Sequence, residues 1–286
     1  MTAFHQIGIV GAGRVAQALA LGLAPHSAKP LLLWARTLDK ARAVAHTIAA
    51  PRLGDLARGC DIIAIAVSDD ALADVAADLA AALPARGAPF IFHVSGSSGA
   101  AILDPLRSAG ALTVAIHPAM TFTGDTRSEV QRMKQARFAV TGSSPEASDI
   151  AHQIVDRLGG VAVEIAEERR PLYHAALCHA SNHLVTLMAG ASHALAAAGV
   201  DDPAALLAPL VRAALENSLE RGFAALSGPL LRGDERTVAG HLAALAADCP
   251  ALLPAYRAMA LATLDELGRA EPSALRRALD SAAAVP

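Results

Sequence analysis

Short apolar runs alternate with amphipathic stretches as far as Ile165, and then the alternation stops. Residues 6–10, 30–35, 61–67, 89–94, 112–116, 137–141 and 161–165 are nearly continuous in Ile, Val, Leu, Ala and Phe. Continuous rather than alternating apolar runs fit strands buried on both faces of a parallel sheet. Between them lie helical periods such as 15–23 and 71–83. This order predicts an α/β domain with a doubly wound, mostly parallel sheet, whose ligands lie outside the carboxyl ends of the strands. From Arg169 onward no run reads as a strand. Residues 171–198, 203–221, 235–247 and 250–267 carry helical periods, and a short helix is expected to begin near Pro272. Asp202-Pro203 is an N-cap followed by proline at the first helical position, and Leu226-Ser227-Gly228-Pro229 is a break. The pattern predicts two domains, 1–166 with the sheet and 167–286 all-helical, with 281–286 fraying.

The first strand runs into Gly11-Ala12-Gly13-Arg14-Val15-Ala16, a G-x-G-x-x-A between strand and helix, which is the dinucleotide-binding fingerprint in its proper context. Gly11 makes the tight turn, Gly13 lets backbone approach a pyrophosphate, and Ala16 lets the helix pack on the sheet. The free N–H groups of Ala12, Gly13, Arg14 and Val15 then hold the anion. At the end of the second strand an NAD site usually carries an acid for the ribose 2′-hydroxyl. Here stand Ala35, Arg36 and Thr37, with no acid before Asp39. Arg36 and Thr37 suit a 2′-phosphate, and Thr37 is also placed to cap the next helix. The expected cofactor is NADP.

Three loops follow strand ends and should face that cofactor: Val67-Ser68-Asp69-Asp70, Val94-Ser95-Gly96-Ser97 and His117-Pro118-Ala119-Met120. Val67, Ser68, Asp69 and Ser95 are cofactor candidates, and Ser95 is also a substrate candidate. A hydride transfer asks of the protein positioning and a proton donor, and histidine titrates in the right range. His117 is one candidate. The long helical stretch offers His174, with Ser181 and Asn182 two turns further on the same face. Either histidine could be the acid, with Asn182 orienting the substrate. Arg232 is a candidate for a substrate carboxylate, and Asp234 for the cap of the following helix. His179 and His183 have metal-ligand spacing but lack an acidic or cysteine companion nearby, so no metal is expected.

Composition narrows the classes. Apolar residues make up 53% of the 286, and the net charge is −3 with no basic stripe, which argues against nucleic acid as a partner. No apolar run reaches the length of a membrane span. Cys60, Cys178 and Cys249 are too scattered for a disulfide framework, and no basic-plus-apolar leader opens the chain, so a cytoplasmic location is expected. Alanine-rich helices with little polar face point to a homodimer through the helical half.

These motifs together resemble one group. Gly11 to Ala16, Arg36-Thr37, Ser95-Gly96, His117-Pro118, Tyr173-His174-Ala175-Ala176 with Ser181-Asn182, and Gly228-Pro229 with Arg232-Gly233-Asp234 and His241 look like the Rossmann-like NADP oxidoreductases with a helical C-terminal domain of unknown function. The wider relatives are pyrroline-5-carboxylate reductase, prephenate dehydrogenase and the 6-phosphogluconate/3-hydroxyacid dehydrogenase superfamily. The resemblance implies a helical domain that dimerises and helps close the site over the nicotinamide. His117-Pro118-Ala119-Met120 is similar to the His-Pro-Met-Ala-Gly loop of prephenate dehydrogenases, with Ala119 interrupting it. The hydroxyacid dehydrogenases carry Lys-x-x-x-Asn on the corresponding helix. If Asn182 matches that Asn, the Lys position is Cys178, which argues against a 3-hydroxyacid dehydrogenase and favours His174 as the acid there. The function expected is hydride transfer between NADP(H) and a small, carboxylated carbonyl, imine or alcohol. The alternative is a non-catalytic NADP-binding redox sensor with a dimeric helical interaction domain.

Overall fold

In the computed structural model, residues 4–85, 87, 89–269 and 273–280 are described. The chain divides into two compact units, Met1–His179 and Ala180–Pro286. Among the described residues the first unit holds eight strands: β1 (Ile7–Val10), β2 (Leu31–Trp34), β3 (Thr47–Ala49), β4 (Ile62–Ile65), β5 (Phe90–His93), β6 (Leu112–Pro118), β7 (Arg137–Gly142) and β8 (Val161–Glu164). Between them run α1 (Arg14–Leu23), α2 (Leu38–Arg42), α3 (Leu53–Gly59), α4 (Asp69–Ala82), α5 (Asp104–Ser108), α6 (Thr126–Met133) and α7 (Pro145–Arg157). The sheet order is β3-β2-β1-β4-β5-β6-β7-β8. Only the β6–β7 pair is antiparallel. The first six strands thus follow the 3-2-1-4-5-6 order of a doubly wound sheet, which reverses direction of winding between β1 and β4.

Strand alternation explains why the runs had to be apolar throughout. Ile7 and Ile9 of β1, with Phe90 and Phe92 of β5, enter the core shared with α1, α6 and α7. Val10, Ile63, Ile65 and Ile91 enter the core on the other face, with Leu56 of α3, Leu72 and Leu79 of α4, and Leu106 of α5. Both faces are covered, so both sets of alternate positions are predominantly apolar.

In this unit four details differ from the sequence reading. Strand β3 was not expected; Thr47-Ile48-Ala49 is a three-residue edge strand, too short for its own periodic signal, and it forms because Leu31–Leu33 supplies its ladder. Strand β6 runs through His117 and Pro118, which pair with Ala139 and Phe138. His117 therefore sits on a strand end rather than in a loop. Helix α4 begins at Asp69, putting both Asp69 and Asp70 in its first turn. Thr37 occupies the N-cap position of α2, but its side chain makes no cap bond.

Helix α8 (Arg170–Ala197) contains the boundary between the units. The second unit continues with α9 (Pro203–Arg221), α10 (Pro229–Arg232), α11 (Glu235–Asp248), α12 (Leu253–Glu266) and α13 (Ala274–Asp280). The expected caps are present: Asp202 accepts from the Ala205 N–H at 3.0 Å and Asp234 from the Thr237 N–H at 3.1 Å. The stretch expected as one helix over 250–267 opens as a 3₁₀ turn, Pro250–Leu252, before α12. The core of this unit is small: Val238, Ala260, Leu264, Leu275 and Leu279. Pro272, where the last helix was expected to begin, and the expected frayed tail 281–286 lie outside the described residues. Among the described residues, no helix is long and apolar enough to cross a membrane.

Candidate functional site

The glycine turn is built as a pyrophosphate cradle requires. Gly11 has φ +118°, and a Cβ on it would strike the Ala66 carbonyl oxygen at the end of β4. Only glycine fits there. A Cβ on Gly13 would meet nothing within 4 Å, so its outer side is open for approach. Helix α1 starts next, with no side-chain cap and no acidic residue in its first turn. Its first N–H groups and positive dipole end are uncompensated, which is the condition for holding an anion. Ala16 is fully buried against the sheet. The Gln17 side-chain amide donates to the Ala12 carbonyl at 3.2 Å and fixes the turn.

At the end of β2, Arg36 and Thr37 are exposed. Asp39, the nearest acid in sequence, pairs with Arg42 at 3.4 Å, leaving Arg36 without a salt bridge among the described residues.

Beside the glycine turn lies a cleft of about 430 Å³. Of the residues picked from sequence, Gly13, Arg14, Val15, Val67, Ser68, Asp69, Ser95, His117 and His174 line it, together with Ala66, Val94, Gly96 and Phe122. Gly11 and Ala12 form the turn behind it. Arg36 and Thr37 are not among the lining residues. Asn182 and Arg232 belong to the second unit. The Arg14 guanidinium donates to the Phe122 carbonyl at 3.3 Å. The loop carrying Phe122 is fixed from below by Glu129, whose Oε1 accepts from the N–H groups of Thr123 and Gly124.

The floor of the cleft rests on two groups without an assigned role in the sequence reading. One is His93, the last residue of β5, fully buried. The Ser95 N–H donates to its Nδ1 at 3.1 Å, so the ring is the neutral tautomer, and its Nε2–H donates to the Gly99 carbonyl at 2.8 Å. Burial holds its pKa down at about 4. The other is Arg170, also fully buried. Its guanidinium donates to the Thr141 hydroxyl at 2.8 Å, to the carbonyls of Ala115 and Ala139 at 3.0 Å each, and to that of Ser95 at 3.3 Å. One side chain thus ties β5, β6 and β7 to the first turn of α8. That anchor sets where Tyr173 and His174 go. Ser95 itself is engaged in the turn: its Oγ accepts from the Ser98 N–H and lies 3.3 Å from Ser97 Oγ, which donates to Asp69 at 3.0 Å.

Above this floor the two imidazoles meet. His117 and His174 stand edge to face with ring centroids 6.1 Å apart. A Cβ on Gly96 would come 2.6 Å from His174 Cδ2 and 3.0 Å from His117 Nε2, so the absent side chain makes room for both rings. His117 Nδ1 lies 2.8 Å from the Tyr173 hydroxyl oxygen. Burial, then the Arg170 and His174 charges, push His117 down to about 4; Asp69 opposes this and His93 adds to it. Burial raises the Tyr173 phenol, with Arg170 opposing. His174 Nε2 lies 3.6 Å from Cys178 Sγ one turn along α8.

The signals for these supports were thin. An arginine at the head of a long apolar helix, in Arg169-Arg170-Pro171, and a histidine ending an apolar strand were the available hints. Their partners are carbonyls far away in sequence, which carry no residue-type signature.

Fold and cleft together define a Rossmann-like unit with a helical second half. Residues 2–118 match the family model of the Rossmann-like domain, and residues 136–263 match the Domain of unknown function (DUF2520). No curated protein matches the sequence. Similar solved structures include a Bacteroides fragilis protein designated an NADP oxidoreductase, 21% identical with a TM-score of 0.75, covering 92% of this chain and 98% of that one. Plasmodium falciparum pyrroline carboxylate reductase with NADP bound is 16% identical, with a TM-score of 0.62 and coverage of 96% and 100%. A reductive aminase from Aspergillus terreus in complex with NADPH and ethyl levulinate is 16% identical, with a TM-score of 0.66 and coverage of 98% and 99%. At these identities the likeness shows the shared fold.

Proposed function

We propose that the protein is an NADP(H)-dependent oxidoreductase that transfers a hydride to or from a small, carboxylated carbonyl, imine or alcohol. The observation that carries this reading is the cleft itself. An uncapped helix start at Gly13, the carboxyl ends of β4, β5 and β6, and two imidazoles over Gly96 share one wall-to-wall space. Two histidines lining that space suit proton transfer beside a hydride step. The fold neighbours include proteins solved with NADP and with NADPH.

In this reading the α1 N-terminus and Gly11, Ala12, Gly13, Arg14 and Val15 hold the pyrophosphate, and Arg36 and Thr37 hold the 2′-phosphate. Val67, Ser68, Asp69 and Ser95 border the nicotinamide half. Bound NADP(H) supplies the hydride. His117 and His174 handle the proton at the reacting heteroatom, and Ser95, Asn182 and Arg232 hold the substrate. Residues 1–166 act as the cofactor domain and 167–286 as the dimerisation and substrate domain. The dimer has support in exposure. Helix α9 buries no residue at all, α8 buries only Arg170, and Val185 and Leu219 are 70% and 79% exposed. Apolar faces of that extent are ordinarily covered.

The test is NADPH oxidation screened against keto acids and cyclic imines, with His117→Ala and His174→Ala alongside the parent. The true donor should lose about 10²-fold or more in kcat with NADPH affinity unchanged, and the other should mainly alter KM. A parent that binds NADPH yet oxidises it with no member of the panel, or two variants with parental kcat, would count against the assignment.

A further inference from the structure

His117 turns its two ring nitrogens to different tasks. Nδ1 meets the Tyr173 hydroxyl at 2.8 Å, while Nε2 lies over Gly96 on the cleft wall. A phenol is a good donor and, with its lone pair conjugated into the ring, a weak acceptor, whereas an unprotonated imidazole nitrogen is a good acceptor. The Tyr173 O–H therefore donates to Nδ1, and the single proton of the neutral ring is left on Nε2, facing the cleft. Arg170 stands beside the phenol, its Cζ 5.9 Å from the Tyr173 ring centroid. Each of its hydrogen bonds goes to a carbonyl or hydroxyl, and none of the salt bridges among the described residues includes it. A fixed, buried positive charge thus has no bonded anion; Tyr173 is the anion-capable group that acts on it most strongly, followed by the carboxylates of Glu167 and Glu164.

We propose that Tyr173, His117 and Arg170 form a proton relay, in which Tyr173 is the proton source, His117 the conduit, and Arg170 the charge that stabilises the phenolate left behind. The relay rests on the oxidoreductase reading. For a carbonyl substrate, NADPH held at this site would supply the hydride, and with it both electrons, to carbon. The C=O π pair moves to oxygen, oxygen takes the Nε2 proton, and Nδ1 takes the Tyr173 proton. C=O becomes CH–OH and the imidazole ends as the Nδ1–H tautomer; before the next turnover the Nδ1 proton returns to the Tyr173 phenolate as Nε2 takes a proton from solvent. Running backwards, the same steps oxidise an alcohol.

The imidazole is neutral at the start and at the end, so no imidazolium is needed. That suits its surroundings: burial, Arg170, His174 and His93 all disfavour the charged ring, and Asp69 alone favours it. Tyr173 acts through His117 and is a positioning residue in that sense.

Histidine tautomers can be read without turnover. Ring-nitrogen NMR on ¹⁵N-histidine-labelled, ligand-free protein at pH 7.5 would compare the parent with Tyr173→Phe, with His117→Gln to assign the signal. Tyr256→Phe is the control, since Tyr256 is the other tyrosine of the chain and bonds His241 Nδ1 at 2.8 Å. The relay predicts a pyridine-like Nδ1 and pyrrole-like Nε2 for His117 in the parent and in Tyr256→Phe. Tyr173→Phe should move the tautomer ratio toward Nδ1–H by about 2–10-fold, the worth of one net hydrogen bond. With a substrate from the panel, kcat of the parent should stay level between pH 6 and 9, and Tyr173→Phe should lose at least about tenfold at unchanged NADPH affinity. A parent His117 protonated on Nδ1, or a tautomer untouched by Tyr173→Phe, overturns the relay while NADPH binding stands. Failure of the parent to bind NADPH overturns the oxidoreductase reading, and the relay with it.

Discussion

Acid should destabilise this protein through His93. Only the neutral ring can accept from the Ser95 N–H and donate to the Gly99 carbonyl, and it does both with no exposure to water. Protonating Nδ1 would set one N–H against another inside the core. Burial accordingly holds the group at about 4 against an ordinary 6.5. The folded pKa is the depressed one, so as pH falls the unfolded chain takes up this proton first. Stability is full above about 6.5, declines from there to about 4, and levels off below. The gap is worth about 3 kcal/mol at 1.36 kcal/mol per pKa step. His117 titrates in the same direction over the same window. Against a typical domain stability of about 5–15 kcal/mol, this is a large fraction. Guanidinium midpoints measured from pH 8 to pH 4 would show it, compared between the parent and His93→Asn. Asn keeps an acceptor for the Ser95 N–H and cannot titrate. It forfeits the Gly99 bond, at a cost of about 1–3 kcal/mol at pH 8. Its stability should then fall less steeply between 6.5 and 4, by about one proton. Parallel slopes for parent and variant would refute the buried, neutral His93.

Gly96→Ala should displace both imidazoles, since its Cβ would lie 2.6 Å from His174 and 3.0 Å from His117; kcat should fall at least about tenfold with NADPH affinity retained, and an unaltered kcat would mean that neither ring stands at the reacting centre. Light scattering at micromolar concentration should give a homodimer, because the exposed leucines and valines of α8 and α9 need cover; a monomer would refute it.

What the chain disclosed from its sequence was governed by local rules. Strands covered on both faces are apolar along nearly their whole length, so β1, β2, β4 and β5 were visible. The glycine turn was visible because Gly11 must adopt φ +118° against Ala66, and no other residue does so cheaply. What stayed hidden depends on partners distant in sequence. Strand β3 exists through its ladder with β2. His117 lies in β6 because β7 pairs with it antiparallel. Arg170 looks in sequence like any helix-start cation, and becomes the keystone of the floor only when three strands bring carbonyls to it. The Tyr173–His117 bond joins residues 56 apart, and no spacing rule predicts it.

The central claim, an NADP(H) site on the α1 start and the β2 end, is most directly tested by titrating NADPH and NADH into the parent and Arg36→Asp while following dihydronicotinamide fluorescence. One charge-assisted contact from Arg36 to the 2′-phosphate is worth about 1.5–3 kcal/mol, so NADPH should bind at least about tenfold tighter than NADH. Arg36→Asp should abolish or reverse that preference. Equal affinities in the parent, or binding of neither dinucleotide, would contradict the account.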